Sequence, residues 1–122
     1  GGTFHANNDV IAFSSTVSSD KKLKTNIENI NYGLSDVLKL NGRQFDWKRK
    51  DRGHDIGFIA QEVEEVIPEL VKEVDGLNGE DSFKTVDYAK TTAVLVEAIK
   101  EQQKQIEDLK SEIKELKNGS TR

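Results

Sequence analysis

A mostly apolar series runs through the last third of the chain at spacings that alternate between four and three: Tyr88, Thr92, Leu95, Ile99, Gln102, Ile106, Leu109, Ile113 and Leu116. That alternation is a heptad seam, with Ile99, Ile106 and Ile113 at a and Leu95, Gln102, Leu109 and Leu116 at d. A helix of this span is on the order of 45 Å long, and so narrow a stripe does not build a monomer's core. Glu112 with Lys117, and Gln105 with Lys110, occupy the g and e positions that pair between parallel neighbours, while Lys104, Asp108, Ser111 and Glu115 lie outside. The series predicts a parallel oligomer. Ile at a with Leu at d leans toward two strands, whereas a polar Gln102 inside the seam specifies register in a dimer or a trimer. Asp87 or Thr85 is expected to cap the start of the helix, and Asn118-Gly119 to end it.

The preceding residues change period often, as a small mixed domain does. Residues 3–17 read as short extended pieces around Asn7-Asn8-Asp9, with Val10, Ile11 and Phe13 as their apolar cluster. After Ser18-Ser19-Asp20 and the basic Lys21, Lys22 and Lys24, a helix is expected over Tyr32–Leu40, burying Leu34, Val37, Leu38 and Leu40 and ending at Asn41-Gly42. Gln44–Lys48 alternates as a strand that sends Phe45 and Trp47 to the core. Ile56–Ala60 suits a buried strand, and Gln61–Val66 a short helix stopped before Pro68, the only proline. Leu70–Val74 and Ser82–Val86 form a hairpin whose loop has Asp75-Gly76 and Asn78-Gly79 for its turns. The reading is α+β: a small mixed helix and strand domain over residues 20–86, preceded by a segment 1–19, followed by a coiled-coil helix over 87–118 and a tail at 119–122.

Composition narrows the function classes. In 122 residues, 34% hydrophobic and 33% charged content leaves a thin core for a compact globule but is normal once a solvated coiled coil is included. A net charge of −4 and the absence of any nucleic-acid-binding motif argue against a nucleic-acid partner. With no cysteine and only His5 and His54, neither a disulfide scaffold nor a zinc set is expected, and no cofactor is called for. No stretch approaches the ~18 apolar residues of a membrane span. The segment 21–50 is rich in Lys and Arg and the segment 51–85 in Asp and Glu, so the two are expected to face each other.

Ser19 and Lys24 are the pair with chemical potential. A serine hydroxyl becomes a nucleophile when a base takes its proton, and a lysine amine held neutral by burial or by cationic neighbours is such a base. Lys21 and Lys22 supply the cations. Five residues apart, the two side chains diverge on a helix and face opposite sides of a strand, so a turn must lie between them. His54, in a polar loop beside Asp55, is a second candidate for acid–base work, set against the commoner role of a surface histidine. Glu62, Glu64, Glu65 and Glu69 read as the outer face of a helix opposite the basic segment rather than as paired catalytic carboxylates.

The segments Asp-Val-Ile-Ala-Phe-Ser at 9–14, Ser-Asp-Lys-Lys-Leu-Lys-Thr-Asn-Ile at 19–27, Phe-Asp-Trp-Lys at 45–48, the run from Ile56 to Val71 and Phe-Lys-Thr-Val-Asp-Tyr at 83–88 resemble, in order, the peptidase S74 family. This is the C-terminal intramolecular chaperone domain of bacteriophage tail spikes, tail fibres and endosialidases. The resemblance implies a homotrimer that helps an upstream β-helical stalk of the same polypeptide to fold in register. It also implies release by autoproteolysis in the host bacterial cytoplasm during phage assembly, so that the domain is absent from the mature fibre. Carried over by position, Ser19 is the nucleophile and cleavage site, beside Asp20, and Lys24 its base. Which bond flanking Ser19 breaks stays open. His54 is the nearest match to a histidine implicated in some relatives. Residues 1–19 would then be the end of the stalk and the cleavage site. The alternative is a permanent trimerisation and folding module in which Ser19 and Lys24 do no chemistry.

Overall fold

The computed structural model describes residues 16–120, so the expectations for residues 3–15 lie outside the described residues. A 3-10 turn at Lys21–Leu23 is followed by α1 (Leu34–Val37), β1 (Arg43–Asp46), β2 (His54–Gly57), α2 (Ala60–Val66), a second 3-10 turn at Pro68–Leu70, β3 (Val71–Val74), β4 (Phe83–Val86) and α3 (Tyr88–Ser120). The strands make two separate antiparallel hairpins. β1 pairs with β2 from Arg43 opposite Gly57 to Asp46 opposite His54, and β3 with β4 from Val71 opposite Val86 to Val74 opposite Phe83. Small helices, two hairpins and one long helix confirm the mixed class.

The core is small and lies where α2, the second 3-10 turn and the first half of α3 meet. Val63, Ile67, Leu70 and Val94 are buried there, with Tyr32, Val37, Leu40, Phe58, Val66, Val71 and Val86 packed around them. Pro68 explains the geometry: it lacks the N–H that α2 would need to continue and takes the first position of a new turn. That turn brings Ile67 and Leu70 both inward, at 1% and 3% exposure. α3 begins at Asp87, whose Oδ1 accepts from Lys90 N at 3.0 Å, so Asp87 rather than Thr85 is the cap. The buried Thr91 donates its hydroxyl to Asp87 O at 3.0 Å, and among the described residues no buried side-chain nitrogen or oxygen lacks a partner.

Both hairpin connections contain left-handed backbone, at Gly53 (φ 69°) between β1 and β2 and at Asn78-Gly79 between β3 and β4. Asn78 and Gly79 have φ of 54° and 80°, and Glu80 N donates to Leu77 O at 3.0 Å, the geometry of a primed turn. Gly76 in the same loop is needed for space: a Cβ there would stand 2.4 Å from Asp81 O.

Several expectations are corrected. α1 is one turn long, and Leu38 is 72% exposed rather than buried, because the chain leaves the helix before that position turns inward. Ile56 lies in β2 and is 75% exposed, since the two-stranded hairpin has no layer over that face. Phe45 and Trp47 are half-buried and meet edge to face at 5.2 Å on the flank of the hairpin, outside the core. α3 continues through Asn118 and Gly119 to Ser120, because Gly119 does not take the left-handed conformation that would close the helix. Of the expected facing of basic and acidic segments, the described residues show Arg43, which grips Glu62 with two hydrogen bonds of 3.0 Å, and the local pair of Arg49 with Asp51 at 3.1 Å. Lys84, from the acidic stretch itself, pairs with Glu64.

Candidate functional site

The turn that Ser19 and Lys24 require is present. Asp20 has extended backbone and caps the 3-10 turn at Lys21–Leu23, its Oδ1 accepting from Lys22 N at 2.9 Å and its carbonyl from Leu23 N at 3.0 Å. Lys24 then leaves the turn in extended conformation, with its N–H on Lys21 O at 3.1 Å. One tight turn has folded the five-residue separation back on itself, and Lys24 Nζ donates to Ser19 Oγ at 2.7 Å. The candidate nucleophile and the candidate base are therefore in contact, which is the first geometric condition for such a pair. Both side chains face solvent in the single chain, together with the neighbouring apolar residues Val17 and Leu23.

His54 is placed elsewhere. It opens β2 directly opposite Asp46, and its Nδ1 lies 2.8 Å from Asp46 Oδ1; it makes no hydrogen bond with Ser19 or Lys24. The same flank holds Trp47, whose Nε1 donates to Asp55 Oδ2 at 3.1 Å and whose ring carries the Arg52 guanidinium at 3.6 Å. The Trp47 hydrogen bond, then the Ile56 N–H and the charges of Arg52 and His54, hold the Asp55 carboxyl below its ordinary range. Asp46 was not singled out in the sequence, yet a histidine and an aspartate facing each other across a hairpin are visible once the strand register is known.

The long helix has two faces. Thr91, Val94 and Ala98 are buried against the domain, and Glu101 closes that face by accepting from Leu34 N at 3.0 Å, which anchors α1. Residues 102–119 of the helix are all exposed. The seam runs along a different face: Leu95, Ile99, Ile106, Leu109, Ile113 and Leu116 are between 40% and 73% exposed, and Gln102 is exposed among them. Tyr88 joins this stripe to the first hairpin. Its ring stacks on Phe58 at 5.6 Å and its hydroxyl accepts from Phe58 N at 3.0 Å, an approach possible because Gly57 has no side chain.

Residues 19–72, which begin at the candidate serine and contain the turn, both strands of the first hairpin and α2, match the family model Peptidase_S74, described as the chaperone of endosialidase. Residues 19–72, a little under half of the chain, are thus a Peptidase_S74 segment. It is also 31% identical over 116 residues to the long tail fiber protein Gp37 of Enterobacteria phage K3 and to that of Enterobacteria phage T2, covering 92% of this chain and 9% of each relative. The corresponding protein of Salmonella phage S16 is 34% identical over 110 residues, 84% of this chain and 14% of the relative. The chain thus spans a small part of the length of these curated relatives. With 92% of this chain covered, the match reaches beyond residues 19–72 into the second hairpin and α3. Among the described residues, no cluster of His, Cys, Asp and Glu is arranged to hold a metal, and no helix is long and apolar enough to cross a membrane.

Proposed function

We propose that this domain is a self-cleaving folding chaperone: it trimerises through α3, assists the folding and registration of an upstream tail-fibre stalk, and is released by autoproteolysis at Ser19. The observation that carries the proposal is the 2.7 Å contact between Lys24 Nζ and Ser19 Oγ, at the start of the family segment. With Lys24 neutral, its amine takes the hydroxyl proton as Ser19 Oγ attacks a carbonyl carbon. Attack on the carbonyl of residue 18 closes a five-membered ring, whereas attack on its own carbonyl would close a strained ring of four, so the Ser18–Ser19 bond is the one cut. As the C–N bond breaks, the amide nitrogen of Ser19 takes the proton from the Lys24 ammonium. The resulting ester is hydrolysed by water, leaving a carboxylate on residue 18 and a new N-terminus at Ser19. His54 is tied to Asp46 on the hairpin and has no part in this sequence of steps.

Assembly would supply what the single chain lacks. A lysine amine is kept neutral by desolvation or by neighbouring cations; Lys21 and Lys22 are the cations, and a neighbouring protomer covering the exposed turn would be the desolvation. Cleavage then follows correct assembly, inside the host cytoplasm where fibres are built. A parallel β-helical stalk needs non-local pairing of three chains, which is slow and exposes strand edges. A zipped C-terminal helix raises the local concentration of those strands.

The exposure of Ser19 and Lys24 favours one second reading, a permanent trimerisation module that never cuts. Intact mass separates the two. The chain bearing a few dozen residues of its natural upstream stalk is expected to lose everything before Ser19, and its Ser19→Ala variant to stay whole. A trimeric wild-type chain of undiminished mass would leave the permanent module as the better account.

A further inference from the structure

We infer that Asp20 is a positioning residue of the cleavage site, acting through its cap on the turn and by keeping its own charge away from Lys24; the inference rests on the self-cleavage reading above. The carboxylate lies four residues before the base, as near in sequence as Glu28 four residues after it, and a carboxylate on the Lys24 ammonium would hold its proton in place and oppose its use as a base. The geometry avoids that pairing. Oδ1 is engaged by Lys22 N at 2.9 Å, and Oδ2 points toward Lys22 Nζ at 3.9 Å, while Lys24 Nζ lies on Ser19 Oγ at 2.7 Å. The same cap fixes the 3-10 turn that brings the two reacting side chains to one side; an uncapped, extended segment would place them on opposite faces. An aspartate fits both demands. Its short side chain reaches the N–H two residues on, and a glutamate is long enough to leave the cap and reach Lys24 instead.

The test uses first-order cleavage of the chain with its upstream segment, followed by intact mass across pH, for wild type, Asp20→Asn, Asp20→Ser, Asp20→Ala and Asp20→Glu. Asn and Ser, which keep a cap, are expected to cleave within about twofold of wild type with an unmoved pH profile. Loss of an N-cap of this kind weakens the turn by about fivefold, so Ala is expected to cleave about fivefold slower with the same pH profile. Glu is expected to be slower still, with its profile displaced to higher pH. Amide exchange gives a readout independent of cleavage: protection of Lys22 N–H persists in Asp20→Asn and disappears in Asp20→Ala. Equal cleavage by wild type and Asp20→Ala overturns the inference while leaving the self-cleavage reading intact. A slow Asp20→Asn with Lys22 still protected also overturns it, by showing that charge rather than the cap matters. A wild-type chain that never cleaves overturns both.

Discussion

The two halves of α3 carry the same kind of apolar stripe and meet different fates. In the first half, Thr91, Val94 and Ala98 recur at three and four residues and are buried by Ile67, Leu70 and their neighbours. In the second half, Ile106, Leu109, Ile113 and Leu116 recur at the same spacings, and every one is exposed. Between them, Leu95 and Ile99 show that the seam begins while the helix is still docked, on a face the domain leaves bare. A lone helix of the roughly twenty residues beyond Glu101 is marginal in water. The docked half is completed by its own chain; in the function proposed above, the projecting half is completed by copies of itself. The small core fits this division, since Ile56, Leu38 and Leu23 also stand in solvent.

The strongest way to break the comparison is to make the projecting face polar. Ile106→Asp with Ile113→Asp is expected to abolish self-association and cleavage together while leaving the far-ultraviolet signal of the domain largely in place, as sedimentation and intact mass will read. Cleavage that persists, independent of concentration, in this variant would separate chemistry from assembly. On the docked face the expected cost falls on stability instead. Ile67→Ala leaves a cavity in a fully buried site and is expected to lose about 2–5 kcal/mol in urea titrations. The junction between the faces comes next. Gly57→Ala places a Cβ 2.6 Å from Tyr88 Oη, so Tyr88 must move and Phe58 N loses its acceptor. A loss of about 1–3 kcal/mol is expected by thermal or urea unfolding. Glu101→Ala removes the acceptor for Leu34 N and should cost about 1 kcal/mol, with faster amide exchange at Leu34.

The smallest effect is electrostatic. Glu62 is held below its ordinary range first by its hydrogen bonds from Arg43, and Asp55 by Trp47. For a depressed carboxylate the stabilisation is fully present above the unfolded value, about 4, and is lost as pH falls through the lower folded value. Stability should therefore decline below about pH 4, and Arg43→Met should flatten part of that decline in urea midpoints. Both Arg43 and Glu62 are solvated, which keeps the contribution small.

Much of this architecture was legible in the sequence where the signal is local. The heptads of α3, the Pro68 stop, the Asn78-Gly79 turn and the Asp87 cap each depend on residues within a turn or two of one another. The need for a turn between Ser19 and Lys24 was legible for the same reason. What could not be read was whose core an apolar residue serves. Ile56, Leu38 and Trp47 look alike in sequence to Val63 and Ile67, because hydrophobicity records that a surface is to be covered and not by which chain. Contacts that close at long separation, such as Glu101 on Leu34 N and Tyr88 on Phe58, also lie beyond any local pattern.

The central claim is that the projecting half of α3 joins three copies of the chain. The most direct test is the molar mass of the intact chain in solution, by light scattering across a dilution series at micromolar concentrations. The account predicts three chain masses, falling to one in the Ile106→Asp, Ile113→Asp variant. A wild-type chain that holds a single chain mass throughout would contradict it.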